Sequence, residues 1–133
     1  MSAGGSLAAR RGKPKPSYSS GPYAGKVVLP APAVVPGTIS FVVSRSSITA
    51  LNLKVVELCA GTIWSVLGDT PKTLTIPVGA GGSFSYDKTV SGDHLKLQGH
   101  LKGSQATGAV FDSLKTGSLL CTMSHAATFT AQH

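Results

Sequence analysis

Short β-like runs, spaced about 10 residues apart and separated by Gly, Pro, Ser and Asp clusters, limit the fold of this chain more than any other feature. They are rich in Val, Ile, Thr and aromatic residues, and no window of helical length shows a 3.6-residue period. The predicted strands are Tyr23–Leu29, Thr38–Val43, Ile48–Leu58, Thr62–Leu67, Thr73–Val78, Ser83–Asp87, His94–Leu101, Thr107–Phe111, Leu119–Met123 and Ala127–Ala131. In 133 residues this pattern predicts one all-β domain, a single β-sandwich of immunoglobulin-like or jelly-roll type with an extended N-terminal arm.

Two of these runs also predict which side chains are buried or where a strand is irregular. In His94–Leu101 the apolar and polar side chains separate completely, so we expect Leu95, Leu97 and Leu101 to face the core. In Ile48–Leu58 the apolar alternation slips between Ala50 and Leu51, which predicts a β-bulge or a strand that passes from one sheet to another.

The first 22 residues differ from the rest in composition. They contain four closely spaced basic residues among Pro, Gly and Ser, and they offer no hydrophobic face to bury. We therefore predict a basic arm at 1–22 and a β-sandwich domain at 23–133. The residues of the arm expected to bind a partner are Arg10, Arg11, Lys13, Lys15, Tyr18 and Tyr23.

The charge of the chain is low and unevenly distributed. Charged residues are only 13% of the chain, which suits a protein packed against neighbours, although a neutral secreted domain has the same property. Of the net charge of +7, residues 1–36 supply +5 and contain no acid, so the remainder carries +2. The excess charge thus indicates an interaction tail.

The two cysteines, Cys59 and Cys121, each lie in a strand-like run without a second Cys or His at metal-ligand spacing. A zinc site is therefore not expected. We predict a disulfide between two central strands, with two buried free thiols as the alternative.

Residues that could carry chemistry lack the context that would activate them. Asp93-His94 and Ser124-His125 supply the residue types of a hydrolase triad, but no nucleophile-elbow motif accompanies them. The glycine-rich segment at 79–83 predicts a tight turn, and the five acids are attributed mostly to turns. Trp64 could pack in the core or serve as an exposed platform. We expect no catalytic residue, no metal and no cofactor.

The spacing of several segments resembles a loose group of small one-disulfide β-sandwich domains in actinobacterial secreted proteins and in proteins of their phages. The resemblance covers the chain from Gly37 to Ala131 and rests on these segments: Gly37-Thr38-Ile39-Ser40-Phe41-Val42-Val43, Cys59, Gly82-Ser83-Phe84-Ser85, Leu97-Gln98-Gly99-His100-Leu101, Ala106-Thr107-Gly108, Cys121 and Phe129-Thr130-Ala131. It implies the sandwich fold and no catalytic residues. The chain departs from the group in having Phe129 where Trp is usual, in lacking a signal-peptide core and in carrying the basic arm.

These departures favour a virion structural protein over a secreted one. The first expectation is a phage capsid decoration or minor tail protein that contacts other virion or coat subunits in an oligomeric assembly. A secreted or surface β-sandwich that binds carbohydrate or a partner protein is the alternative. Nucleic acid, bound through the arm, is a possible but less favoured partner, and no segment is apolar enough for a membrane span.

Overall fold

The structure is a computed structural model that describes residues 18–29, 36–59, 63–67, 71–72, 74–123 and 126–133, with backbone alone at 63–67, 71–72, 116 and 119. The described chain forms eleven strands: β1 (Gly21–Val28), β2 (Gly37–Ser44), β3 (Ser47–Cys59), β4 (Ile63–Leu67), β5 (Pro71–Lys72), β6 (Ile76–Pro77), β7 (Ser83–Val90), β8 (Asp93–Lys102), β9 (Gln105–Thr116), β10 (Leu119–Thr122) and β11 (Ala127–Gln132). The all-β prediction is confirmed. No helix in the described part is long and apolar enough to cross a membrane.

All the strand pairings belong to one antiparallel sheet that closes on itself. Six strands form the ring in the order β3, β2, β1, β11, β9 and β10, and β10 pairs back with β3. Strands β8 and β7 continue outward from β9, while β4, β5 and β6 line the free edge of β3. The prediction was a β-sandwich, and the pairings show a closed six-strand antiparallel barrel with outer strands. Alternation alone does not separate these two folds, since both bury one face of every strand.

One cluster of apolar side chains is buried on the inward face of the sheet, and this face includes the outer strands β7 and β8. Leu95, Leu97 and Leu101 of β8 are buried there, as their alternation predicted, and Phe41 and Phe84 contact each other across the interior with ring centroids 6.5 Å apart. A domain of this length can bury such a core without a metal.

The predicted irregularity in β3 is a bulge. Ser40 pairs with Asn52 and Val42 pairs with Thr49, so Ala50 and Leu51 together lie opposite one residue of β2. Ala50 has a left-handed backbone, with φ of 53°. The bulge turns Leu51 back into the core, where it is buried.

Candidate functional site

Two aromatic residues assigned to the partner-binding arm lie inside the barrel. Tyr18 is buried, and its hydroxyl donates a hydrogen bond to the backbone carbonyl of Arg45 at 2.9 Å. The backbone N–H of Ser19 donates to the carbonyl of Gly103 at 2.7 Å. The described domain therefore includes residues 18–22, which the sequence had assigned to the arm.

Tyr23 is a core residue as well. Its ring stacks on Phe41 with centroids 5.4 Å apart, and its hydroxyl donates to the carbonyl of Ser19 at 2.8 Å. Burial raises the pKa of the Tyr23 phenol above its usual value of 10.0. Because both rings are buried, Tyr18 and Tyr23 are not exposed to bind a partner as the sequence predicted. Arg10, Arg11, Lys13 and Lys15 lie outside the described residues.

The end of the barrel at which Tyr18 enters is basic. We call it the entry end, and it comprises Tyr18, Arg45, Lys102, Gly103 and His133. Arg45 lies in the turn between β2 and β3, and Lys102 ends β8. The backbone N–H of His133 donates to the carbonyl of Ser104 at 2.8 Å. None of these residues is acidic.

The predicted disulfide is confirmed. Cys59 of β3 and Cys121 of β10 are directly paired across the two strands, with Cα atoms 4.0 Å apart, and both side chains are buried. The disulfide therefore links β3 and β10, the two strands whose pairing completes the ring.

Two acids lie beside this disulfide and point into the barrel. Glu57 is 0% exposed and Asp112 is 2% exposed, and both side chains are engaged in interactions. The N–H of Met123 donates to the carbonyl of Asp112 at 3.3 Å, so β10 continues between the strands of the two acids. The prediction that turns account for most of the five acids was wrong, because Glu57, Asp87, Asp93 and Asp112 all lie in strands.

A signal for these buried acids was present in the sequence. Glu57 lies between Val55 and Cys59 on the inward face of β3. Asp112 is two residues after Val110 on β9 and therefore points to the same inward face. Within the described ranges, no three His, Cys, Asp or Glu side chains come together as a metal site requires.

The two histidines of β8, of which His94 belongs to the residues that resembled a triad, have separate neighbours on the outer surface. The Nε2 atom of His94 lies 2.7 Å from the Oδ1 atom of Asp87, and Phe111 meets the His94 ring edge-on. The Nδ1 atom of His100 lies 3.4 Å from the hydroxyl of Ser83, near the other end of β8. No described serine joins the His94–Asp87 pair in a hydrogen bond. Ser124, His125 and the Trp64 side chain lie outside the described residues.

The outer surface of β1, β2, β3 and β11 is the most distinctive chemical feature of the described chain. Thr38 of β2 pairs with Lys26 on one side and with Lys54 on the other, and Lys26 pairs in turn with Thr130. These four exposed residues form a row across four strands, which we call the lysine row. The four strands contain a single carboxylate, Glu57, and it faces the interior.

Beside the lysine row lies a second row of short and polar side chains. Ala24 pairs with Ser40 and with Gln132, and Ser40 pairs with Asn52. Because these side chains are short, the sheet surface is depressed here, with a volume of about 430 Å³ bordered by Lys54. The sequence did not reveal this arrangement because Lys26 and Lys54 are far apart in the chain and only the strand register brings them together.

A larger depression lies on the other side of the barrel. It has a volume of about 590 Å³ and is open and shallow, with Ser83, Ser85 and Gln98 as its polar lining. Its one aromatic residue, Phe84, is buried beneath the surface. The groups that it offers to a ligand are hydroxyls and an amide.

Comparison with known proteins gives no matching family model, no similar curated protein and no similar solved structure. The resemblance to actinobacterial and phage domains thus stays a prediction from the sequence.

Proposed function

We propose that this chain is a non-enzymatic structural protein of a virus particle, such as a capsid decoration or minor tail protein, that acts by attaching to other subunits. The fold proposed with it is a barrel flattened into an immunoglobulin-like or jelly-roll sandwich. The basic arm before Tyr18 then contacts neighbouring subunits, since its 17 residues can reach roughly 55 Å when fully extended.

One observation carries this proposal: the exposed large apolar side chains share one end of the barrel. Val28 is 67% exposed, Val90 is 59% exposed and Leu120 is 48% exposed. Val28 and Val90 end β1 and β7, which run in the same direction, and Leu120 lies at the start of β10, which runs the opposite way. We call these three residues the apolar end, and it lies opposite the entry end.

An apolar end suits attachment to another protein. Exposed apolar groups near polar residues are typical of protein contact surfaces, while a single exposed apolar residue has no such meaning. The two barrel ends then have different roles: the apolar end docks and the entry end begins the arm. A carbohydrate-binding role has less support, because the larger depression exposes no aromatic ring on which a sugar could stack.

The test begins with particles purified from cultures of the organism that encodes this chain. Quantitative mass spectrometry should find the chain in a fixed ratio to the main coat protein, and immunogold labelling should place it on the particle. If the chain is found only in the particle-free fraction, the proposal is wrong.

A second experiment tests the apolar end itself. Particles that lack the chain are mixed with the full purified chain or with a Val28→Ser, Val90→Ser, Leu120→Ser variant, and bound chain is measured after sedimentation. The variant should bind at least about tenfold more weakly, because burying one Val or Leu side chain contributes about 1.5–3 kcal/mol and each serine would bury a hydroxyl instead. A matched control replaces three exposed threonines by serine away from the apolar end, at Thr75, Thr107 and Thr130, and should bind as the unaltered chain does. Equal binding of all three proteins would show that the apolar end is not the docking surface.

A further inference from the structure

The lysine row and the depression beside it offer one kind of chemistry. Lys26 and Lys54 supply two cations, Thr38 and Ser40 supply hydroxyls, and Asn52 supplies an amide at the border of the depression. Adjacent strands lie about 4.8 Å apart, so the Cα atoms of the two lysines are separated by roughly 10 Å. All of these groups can donate hydrogen bonds to the oxygens of an anion.

No opposing charge neutralises this surface within the described strands. The acid of β3, Glu57, is fully buried, and β1, β2 and β11 contain none. The described acids outside β3 lie on β7, β8 and β9. The uneven distribution means that the outer face of β1 to β3 is more basic than the net charge of the domain indicates.

The described surface offers hydrogen-bond donors but no exposed aromatic ring that could stack on a base. Its described floor is formed by Ala24 and Ser40, and the nearby rings of Tyr23 and Phe41 are buried under the sheet. Stacking on nucleobases or sugars requires an exposed ring. By contrast, Lys, Ser, Thr, Asn and Gln side chains are the groups that usually contact the phosphates of a nucleic acid.

We infer that the outer face of β1, β2 and β3 binds the sugar-phosphate backbone of a nucleic acid through Lys26, Lys54 and the polar groups between them, without reading its sequence. Charge complementarity selects this partner. The face is shallow, which fits an extended polymer that crosses it better than an enclosed small anion. The four basic residues of the arm add charge to the same chain, but the inference rests on the described strands and does not depend on the proposed virion role.

The test uses the full chain and a fluorescein-labelled 20-base-pair duplex of arbitrary sequence, with binding followed by fluorescence anisotropy between 50 and 200 mM NaCl. A Lys26→Ala, Lys54→Ala variant is compared with a Lys88→Ala, Lys115→Ala control. All four lysines are exposed, and each variant loses two positive charges, but Lys88 and Lys115 lie on β7 and β9 away from the face. Circular dichroism should show that both variants remain folded.

The face variant should bind the duplex about tenfold more weakly at 100 mM NaCl, and its plot of log affinity against log salt should be flatter by about 1.8, the loss of two phosphate contacts. The control should stay within about twofold of the unaltered chain. Changing the duplex sequence should alter neither result.

Three outcomes would overturn the inference. If the unaltered chain does not bind the duplex at 50 mM NaCl, the face has no affinity for phosphate backbones. If both variants weaken binding equally, net charge or the arm is responsible. If labelled poly-L-glutamate of equal charge binds the unaltered chain more tightly than the duplex does, and the Lys26→Ala, Lys54→Ala variant loses that affinity, the face recognises an acidic protein surface. None of these outcomes depends on whether the chain is found on a virus particle.

Discussion

Replacing Ala50 by glycine should make the protein more stable, although glycine usually weakens a strand. Ala50 has φ of 53° in the bulge of β3, and its side chain is exposed. For an L-residue, adopting this left-handed backbone costs about 1–2 kcal/mol of stability. Glycine avoids that strain, but its larger loss of chain entropy on folding destabilises the folded state by about 0.5–1 kcal/mol relative to alanine. The net gain in the free energy of unfolding is about 0.5–1 kcal/mol. With an unfolding entropy of about 2.1 cal/mol/K per residue, the melting temperature should rise by about 2–4 °C.

The matched control is Ala24→Gly. Ala24 is also exposed in a strand, but it does not have a positive φ. It should lose about 0.5–1 kcal/mol, so the two substitutions should move the melting temperature in opposite directions. Thermal unfolding followed by circular dichroism measures both. If Ala50→Gly lowers the melting temperature as Ala24→Gly does, the reasoning from backbone conformation is wrong.

Three further predictions concern the core, the crosslink and alkaline pH. Leu97→Ala should lower the free energy of unfolding, measured by urea denaturation, by about 2–5 kcal/mol. Gln98→Ala on the outer face is the control and should change it by less than about 0.5 kcal/mol. A loss below about 1 kcal/mol for Leu97→Ala would contradict the core position of Leu97. Replacing Cys59 and Cys121 together by alanine should cost about 2–5 kcal/mol, and a reducing agent should then destabilise only the unaltered chain. The pKa of Tyr23 is raised in the folded state, so the contribution of its hydroxyl to the free energy of unfolding is complete below pH 10 and is lost as the pH rises through the folded pKa. The difference in free energy of unfolding between the unaltered chain and Tyr23→Phe should therefore narrow above pH 10. A difference that stays constant would contradict this.

The strands and their inward faces could be predicted because the information is local. Leu95, Leu97 and Leu101 alternate with polar residues within one run, and the bulge at Ala50 shows as a break in such an alternation. Closure into a ring is different, because it depends on which distant strands pair. Nothing near Val27 in the chain indicates that it pairs with Phe129.

The candidate surfaces were harder to predict for the same reason. Tyr18 follows a Pro- and Ser-rich segment and shows no alternation, and its burial depends on a bridge to Gly103. Lys26 and Lys54 lie in one row only because each of them pairs with Thr38 of the strand between them. Glu57 lies in a strand that was predicted, but its burial was not foreseen because an acidic side chain is usually exposed.

The pairing of β1 with β11 also determines when the barrel can form during synthesis. On the ribosome β1 and β2 emerge early, but the other partner of β1 is β11, which is the last of the described strands to emerge. Until then one edge of β1 stays open, and such non-local pairing is slow, on the order of milliseconds to seconds for all-β domains. Cys121 leaves the ribosome before β11 does, so the covalent link to Cys59 can form while the nascent barrel is still open. In this chain, oxidation can therefore precede the pairing of β1 with β11.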